Sequence, residues 1–146
     1  MNKNLRPYVI SIDWLQFHLH RPTGFCPENP EIRSLFAKEE DVQRFSFSTV
    51  GHGSKTYRDI YSITQYSEEW GEISINPYSS QINSLSASLK LKNKVLYEPG
   101  LMKDVADFIE IFGFTFMGLS RLDLAYDCNE FYGGLTAEHF MRKYEQ

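Results

Sequence analysis

Apolar and polar side chains alternate with a period of two over much of this chain, the pattern of half-buried β-strands, and in one segment they recur at helical spacing instead. Val9-Ile10-Ser11-Ile12-Asp13-Trp14-Leu15-Gln16-Phe17-His18-Leu19 is rich in β-branched and aromatic residues and is closed by Arg21-Pro22-Thr23-Gly24, so it predicts one long strand. A loop with Pro22, Gly24, Pro27 and Pro30 follows, then a weak helical turn over 31–38. Residues 43–50 and 57–66 predict two strands joined across Gly51-His52-Gly53-Ser54-Lys55, a connection of hairpin length. After a polar turn at 67–70 the alternation returns in Gly71-Glu72-Ile73-Ser74-Ile75-Asn76, and again near 82–92.

The period then changes. Leu101, Val105, Phe108, Ile109 and Phe112 fall on one helical face with Lys103, Asp104, Asp107 and Glu110 on the other, after Pro99-Gly100 and before a terminating Gly113. An apolar stripe of this kind is a face packed on a sheet. A sixth strand is predicted at 120–127. Thr136 then reads as the N-cap of a helix with Glu138 in its first turn, and the chain stops inside it, which leads us to expect the N-terminal part of a larger protein. These elements predict an α+β fold in one domain over 1–146, an antiparallel sheet with helices packed on one face.

Composition narrows the picture. With 146 residues, 42% hydrophobic and 23% charged, the chain has the make-up of a soluble globular domain able to bury an ordinary core. No apolar run approaches the roughly 20 residues of a membrane helix and no signal-peptide core precedes the first strand, so the expected location is cytoplasmic, with no membrane partner. Cys26 and Cys128 match no metal-ligand spacing and read as reduced thiols. A net charge of −4 argues against nucleic-acid binding through the overall field. It leaves local basic patches open. In 85–94 Leu85, Ala87, Leu89 and Leu91 alternate with Ser86, Ser88, Lys90, Lys92 and Lys94, either a basic strand face or lysines that deter edge pairing.

The candidate chemistry lies in Ser120-Arg121-Leu122-Asp123-Leu124-Ala125-Tyr126-Asp127. Alternation puts Leu122, Leu124 and Tyr126 on one face and Arg121, Asp123, Ala125 and Asp127 on the other, either a polar site laid on a sheet or a solvated surface with an Arg–Asp pair. Asp123 and Asp127 are about 13 Å apart along a strand, too far to share a cation, so a second carboxylate must come from a neighbouring strand. Asp13 has the right parity, provided the first and last strands pair. Two carboxylates brought together this way suit Mg²⁺ or Mn²⁺; the bland alternative is an Asp13–Arg121 salt bridge. His18-Leu19-His20 has the His-hydrophobe-His spelling of a nuclease metal motif. Parity puts its histidines with Ile10, Ile12 and Trp14, opposite Asp13, and so away from the carboxylates unless a bulge reverses the face.

Ile10-Ser11-Ile12-Asp13-Trp14-Leu15-Gln16-Phe17 and, about a hundred residues later, Ser120 to Asp127 together resemble the paired blocks of the replication initiation factors of rolling-circle plasmids and filamentous phages, the Rep_trans group. The resemblance implies a relaxase-like domain that nicks one strand of origin DNA, single-stranded or in a hairpin, through a tyrosine nucleophile and a divalent cation, Mg²⁺ or Mn²⁺. It implies Asp123 as leading metal ligand, with Asp13 beside it and Asp127 as a further contributor. Arg121, Lys90, Lys92 and Lys94 would contact DNA, and a helicase or a second copy would be the protein partner. The nucleophilic tyrosine is expected in a block downstream of the Arg-Asp motif. None of Tyr126, Tyr132 or Tyr144 sits in such a block, so no nucleophile is assigned and this chain alone is expected to be inactive. The competing expectation is a non-catalytic domain that binds a protein through its open sheet face, with Tyr57, Tyr61, Tyr66, Trp70 and Tyr78 as exposed aromatics.

Overall fold

The computed structural model describes residues 9–28 and 43–127. The helical turn expected over 31–38, the helix expected from Thr136, and Cys128 lie outside them.

Six strands form one sheet: β1 (Val9–His20), β2 (Phe45–Thr49), β3 (Tyr57–Gln65), β4 (Glu68–Pro77), β5 (Ser86–Leu91) and β6 (Thr115–Asp127). Their spatial order is β2-β3-β4-β5-β1-β6, with every neighbouring pair antiparallel. β2 to β5 are a meander. β1 then inserts between β5 and β6, so the first and last strands of the described chain pair along their whole lengths. One helix, α1 (Leu101–Phe112), connects β5 to β6 and lies on one face of the sheet. This is the α+β architecture that the alternation predicts.

Local chemistry explains the joints. Tyr66 and Ser67 both take positive φ, 51° and 68°, between the paired residues Gln65 and Glu68, the backbone of a tight two-residue hairpin whose twist matches its strands. Gly71 lets β4 approach β5, since a Cβ there would lie 2.7 Å from the Lys90 carbonyl oxygen. The Asn83 side chain accepts from Leu85 N and its carbonyl from Ser86 N, so a turn occupies residues that alternation had given to the fifth strand. Gly113 ends α1 in the left-handed region at φ 72°, and Phe114 N donates back to the Ile109 carbonyl.

The core lies between α1 and the sheet. Leu15, Phe17 and Leu19 of β1, Ala87, Leu89 and Leu91 of β5, and Ile73 and Ile75 of β4 are buried with Leu101, Val105, Phe108 and Phe112 of the helix. Aromatic rings meet edge-on or tilted at its centre: Phe108 has its centroid 5.2 Å from Phe45 and 5.4 Å from Trp70, and Phe25 stands 4.8 Å from Phe114. Two aromatics expected on the surface belong to this core. Trp70 is buried because β4 already begins at Glu68, which makes the expected polar turn shorter and turns Trp70 inward, and Tyr61 is buried in β3 opposite Ile73. Burial and a hydrogen bond donated to Glu28 push the Tyr61 phenol up to about 12. Arg44, just before β2, fastens the helix to the strand edge through Asp104 at 2.7 Å and Asp107 at 2.8 Å while lying over the Phe45 and Tyr66 rings.

Candidate nucleic-acid interface on the open sheet face

The face opposite α1 is built where β5, β1 and β6 run side by side. A single irregularity in β1 decides what it carries. Ile12 pairs with Leu124 and Trp14 pairs with Asp123, so Asp13 is an extra residue, a β-bulge that reverses the alternation. Ile12 packs against the core, whereas Trp14, Gln16, His18 and His20 stand on the open face. The expectation that the histidines lie opposite the carboxylate side of the sheet is therefore corrected. The same bulge that exposes Trp14 brings His18 and His20 onto the face of Asp123, with their ring centroids 5.4 Å apart. His18 Nε2 is hydrogen-bonded to Ser86 Oγ at 2.9 Å, a hydroxyl that Tyr57 also meets at 3.2 Å.

Trp14 is the centre of the constellation. Lys90 Nζ, from β5, lies 3.7 Å from its ring centroid, and the Arg121 guanidinium carbon, from β6, lies 3.9 Å from the same centroid. Because the two cations come from strands on either side of β1, the indole stands between them, and its Nε1 donates to Gln16 Oε1 at 2.9 Å. Each cation–π contact at such an exposed place contributes about 0.5–1 kcal/mol, enough to orient a long side chain that would otherwise wander. Two positive groups are thus held no more than about 8 Å apart on one surface, with Ser88 and Ser86 as short polar neighbours between strands.

Asp123 joins this group in a different state from the one expected of a metal ligand. Arg121 donates to both of its oxygens, Nε at 3.2 and 3.1 Å and Nη2 at 2.7 Å. That fork holds the carboxyl below its ordinary range and the guanidinium above its own. Asp13, exposed at the bulge, has no partner of its own in the register and precedes Trp14, whose partner is Asp123, while Asp127 pairs with Val9 at the far end of β6. Among the described residues no three His, Cys, Asp or Glu side chains cluster closely enough to hold a metal ion. The fit to a divalent cation is therefore partial: Asp13 and Asp123 occupy neighbouring positions on paired strands, but Arg121 already donates to both oxygens of Asp123.

The remaining lysines divide. Lys92 follows the end of β5 and pairs with Glu72 at 3.3 Å, and Lys94 lies in a short 3₁₀ turn, Asn93–Val95, paired with Glu69 at 3.7 Å. The alternation of 85–94 stops at Leu91, so Lys94 is not on the strand that carries Lys90. Each of these two has a carboxylate beside it that a phosphate would have to displace. Trp14 and Gln16 are the site residues that composition and motif reading passed over. The signal for Trp14 was a large aromatic inside a strand that also carries Asp13 and two histidines.

No family model, no curated protein and no solved structure matches this chain. No helix among the described residues is long and apolar enough to cross a membrane.

Proposed function

We propose that the open face of β5, β1 and β6 binds the backbone of a single nucleic-acid strand, and that this chain serves as the DNA-contacting part of a rolling-circle replication initiator with a relaxase-like sheet. The observation that carries the reading is Trp14 held between Lys90 and Arg121. A site for one strand needs cations in fixed positions to meet phosphates and an aromatic group beside them, and Trp14, covered on its faces by the two cations, offers its edge. Here both come from three adjacent strands, and they are placed on the face that α1 leaves open. The acidic overall charge makes this a local attraction rather than a long-range one, so affinity should fall with salt by a modest slope, about −0.7 per phosphate contact.

The resemblance of the β1 and β6 segments to the Rep_trans blocks supplies the replication context and adds the cation. On that reading Asp123 and Asp13 would hold Mg²⁺ or Mn²⁺, which would polarise a scissile phosphate, and Arg121, which donates to Asp123, would have to turn to a phosphate to free that carboxylate. Calorimetry with Mn²⁺, with and without a short single-stranded oligonucleotide, tests it. Heat that appears with oligonucleotide present and is lost in Asp123→Ala is expected. Mn²⁺ heat that survives the substitution removes Asp123 as a ligand, and the absence of heat under both conditions removes the cation from the account.

The protein-binding reading of the same face finds less support. Its uncovered side chains are Trp14, Gln16, His18, Lys90, Arg121 and Asp123, a charged and hydrogen-bonding set, and protein interfaces are depleted in such charges at their centres.

A further inference from the structure

The two edges of the sheet differ in a way the nucleic-acid face does not require. β2, at one edge, has five residues and turns Ser46, Ser48 and Thr49 to solvent. β6, at the other, has thirteen and no strand on its outer side among the described residues. Five of its large apolar side chains, Phe116, Met117, Leu119, Leu122 and Leu124, are between 44 and 56% exposed. A long, apolar, unpaired edge is a template for another strand, and soluble proteins ordinarily shorten or charge such an edge.

We propose that the occupant is a second copy of this chain, paired antiparallel along β6 about a two-fold axis at Leu124. The register follows from β6 itself. Its pairing with β1 is broken on the β6 side at Met117 and Ser120, and it runs without an extra residue from Arg121 to Asp127. That run, Arg-Leu-Asp-Leu-Ala-Tyr-Asp, is self-complementary about its centre. Antiparallel pairing there sets Arg121 opposite the partner's Asp127, Leu122 opposite Tyr126, and Leu124 opposite itself. Centring on Asp123 would set two carboxylates face to face, and centring on Leu122 would carry the pairing across the irregularity at Ser120. Leu122 and Leu124 lie on the α1 side of the sheet, in register with Leu15 and Ile12, so the contact joins two apolar rows.

The pairing makes one continuous sheet with both Trp14 clusters on the same side, a surface fitted to two strands or two repeats of a nucleic acid; this last consequence rests on the proposed function, while the dimer itself does not. Sedimentation of the wild type across micromolar concentrations tests the dimer without any ligand. A concentration-dependent dimer is expected, and Leu124→Glu should raise its dissociation constant by about tenfold or more, since two buried charges would face each other at the axis. A variant with Cys26 and Cys128 replaced by Ser and Leu124 by Cys should form an inter-chain disulfide under mild oxidation, whereas the same background with Leu119→Cys should not. A wild type that stays monomeric overturns the proposal, as does a dimer that Leu124→Glu leaves intact or that links through Leu119→Cys instead. Loss of oligonucleotide binding with the dimer intact would count against the proposed function alone.

Discussion

Replacing Arg44 by Met should unfasten α1 from the edge of the sheet while keeping most of the apolar stem that covers Phe45. The guanidinium is mostly buried and meets two carboxylates that are about three-quarters covered, Asp104 at 2.7 Å and Asp107 at 2.8 Å. Hydrogen bonds to charged groups contribute roughly 1.5–3 kcal/mol each, and partial exposure on the carboxylate side moves both toward the lower end, so the pair should be worth about 2–3 kcal/mol. With a urea slope of about 1–3 kcal/mol per molar for a chain of this size, the unfolding midpoint should fall by roughly 0.7–3 M at neutral pH. The sign of the pH dependence follows from Asp107. Its hydrogen bonds from Arg44 and then from Lys103 hold its carboxyl below the ordinary value in the folded protein. Its stabilisation is therefore complete above the unfolded carboxylate range near pH 4 and disappears as pH falls through the lower folded value. Urea titrations monitored by circular dichroism should give a gap between wild type and Arg44→Met that narrows toward pH 2.5. A gap that is negligible at neutral pH, or one that widens in acid, would refute the view that these ion pairs clasp the helix.

Phe108→Ala should cost about 3–5 kcal/mol, read as a lowered denaturation midpoint, because Phe108 is fully buried and its ring meets Phe45, Trp70, Phe112 and Phe114. Gly71→Ala should destabilise by about 1–3 kcal/mol and speed amide exchange along β5, since the added methyl meets backbone rather than a movable side chain. Tyr61, with its phenol up to about 12, should be the tyrosine that ionises late in an ultraviolet titration. Its contribution to stability is whole below about pH 10 and is lost as pH rises through 12, and Tyr61→Phe should remove that step.

Most of this architecture can be read from side-chain periodicity. The alternation in 9–19, 71–76 and 120–127 and the stripe Leu101, Val105, Phe108, Phe112 mark elements whose burial requires those periods, and the structure has strands and a helix there. Pairing of the first and last strands entered the reading only as the condition for Asp13 to approach Asp123, and the structure has that pairing. What periodicity cannot reveal is an insertion of one residue that keeps the chain extended. The bulge at Asp13 involves no glycine or proline, yet it turns Trp14 and both histidines onto the open face and makes Trp14 the centre of the site. Partner choice among charges was equally hidden. Arg121 could have met Asp13 across the strands; it meets Asp123 two residues along its own strand, where both side chains already share a face. Trp70 was misplaced for a third reason: two glutamates before it look like a turn, but the hairpin is completed by Tyr66 and Ser67, whose positive φ no glycine announces.

On the proposed function Lys90, Trp14 and Arg121 act together on one strand of nucleic acid. With Trp70→Phe, the indole of Trp14 becomes the chain's sole tryptophan reporter, and its emission during titration with single-stranded DNA over a salt series reads both contact and charge. We expect quenching that weakens with salt, and a logarithmic salt slope that becomes shallower by about 1.4 when Lys90 and Arg121 are both replaced by Ala, as two lost phosphate contacts require. Emission unchanged by DNA at low salt, or a slope indifferent to both substitutions, would contradict it.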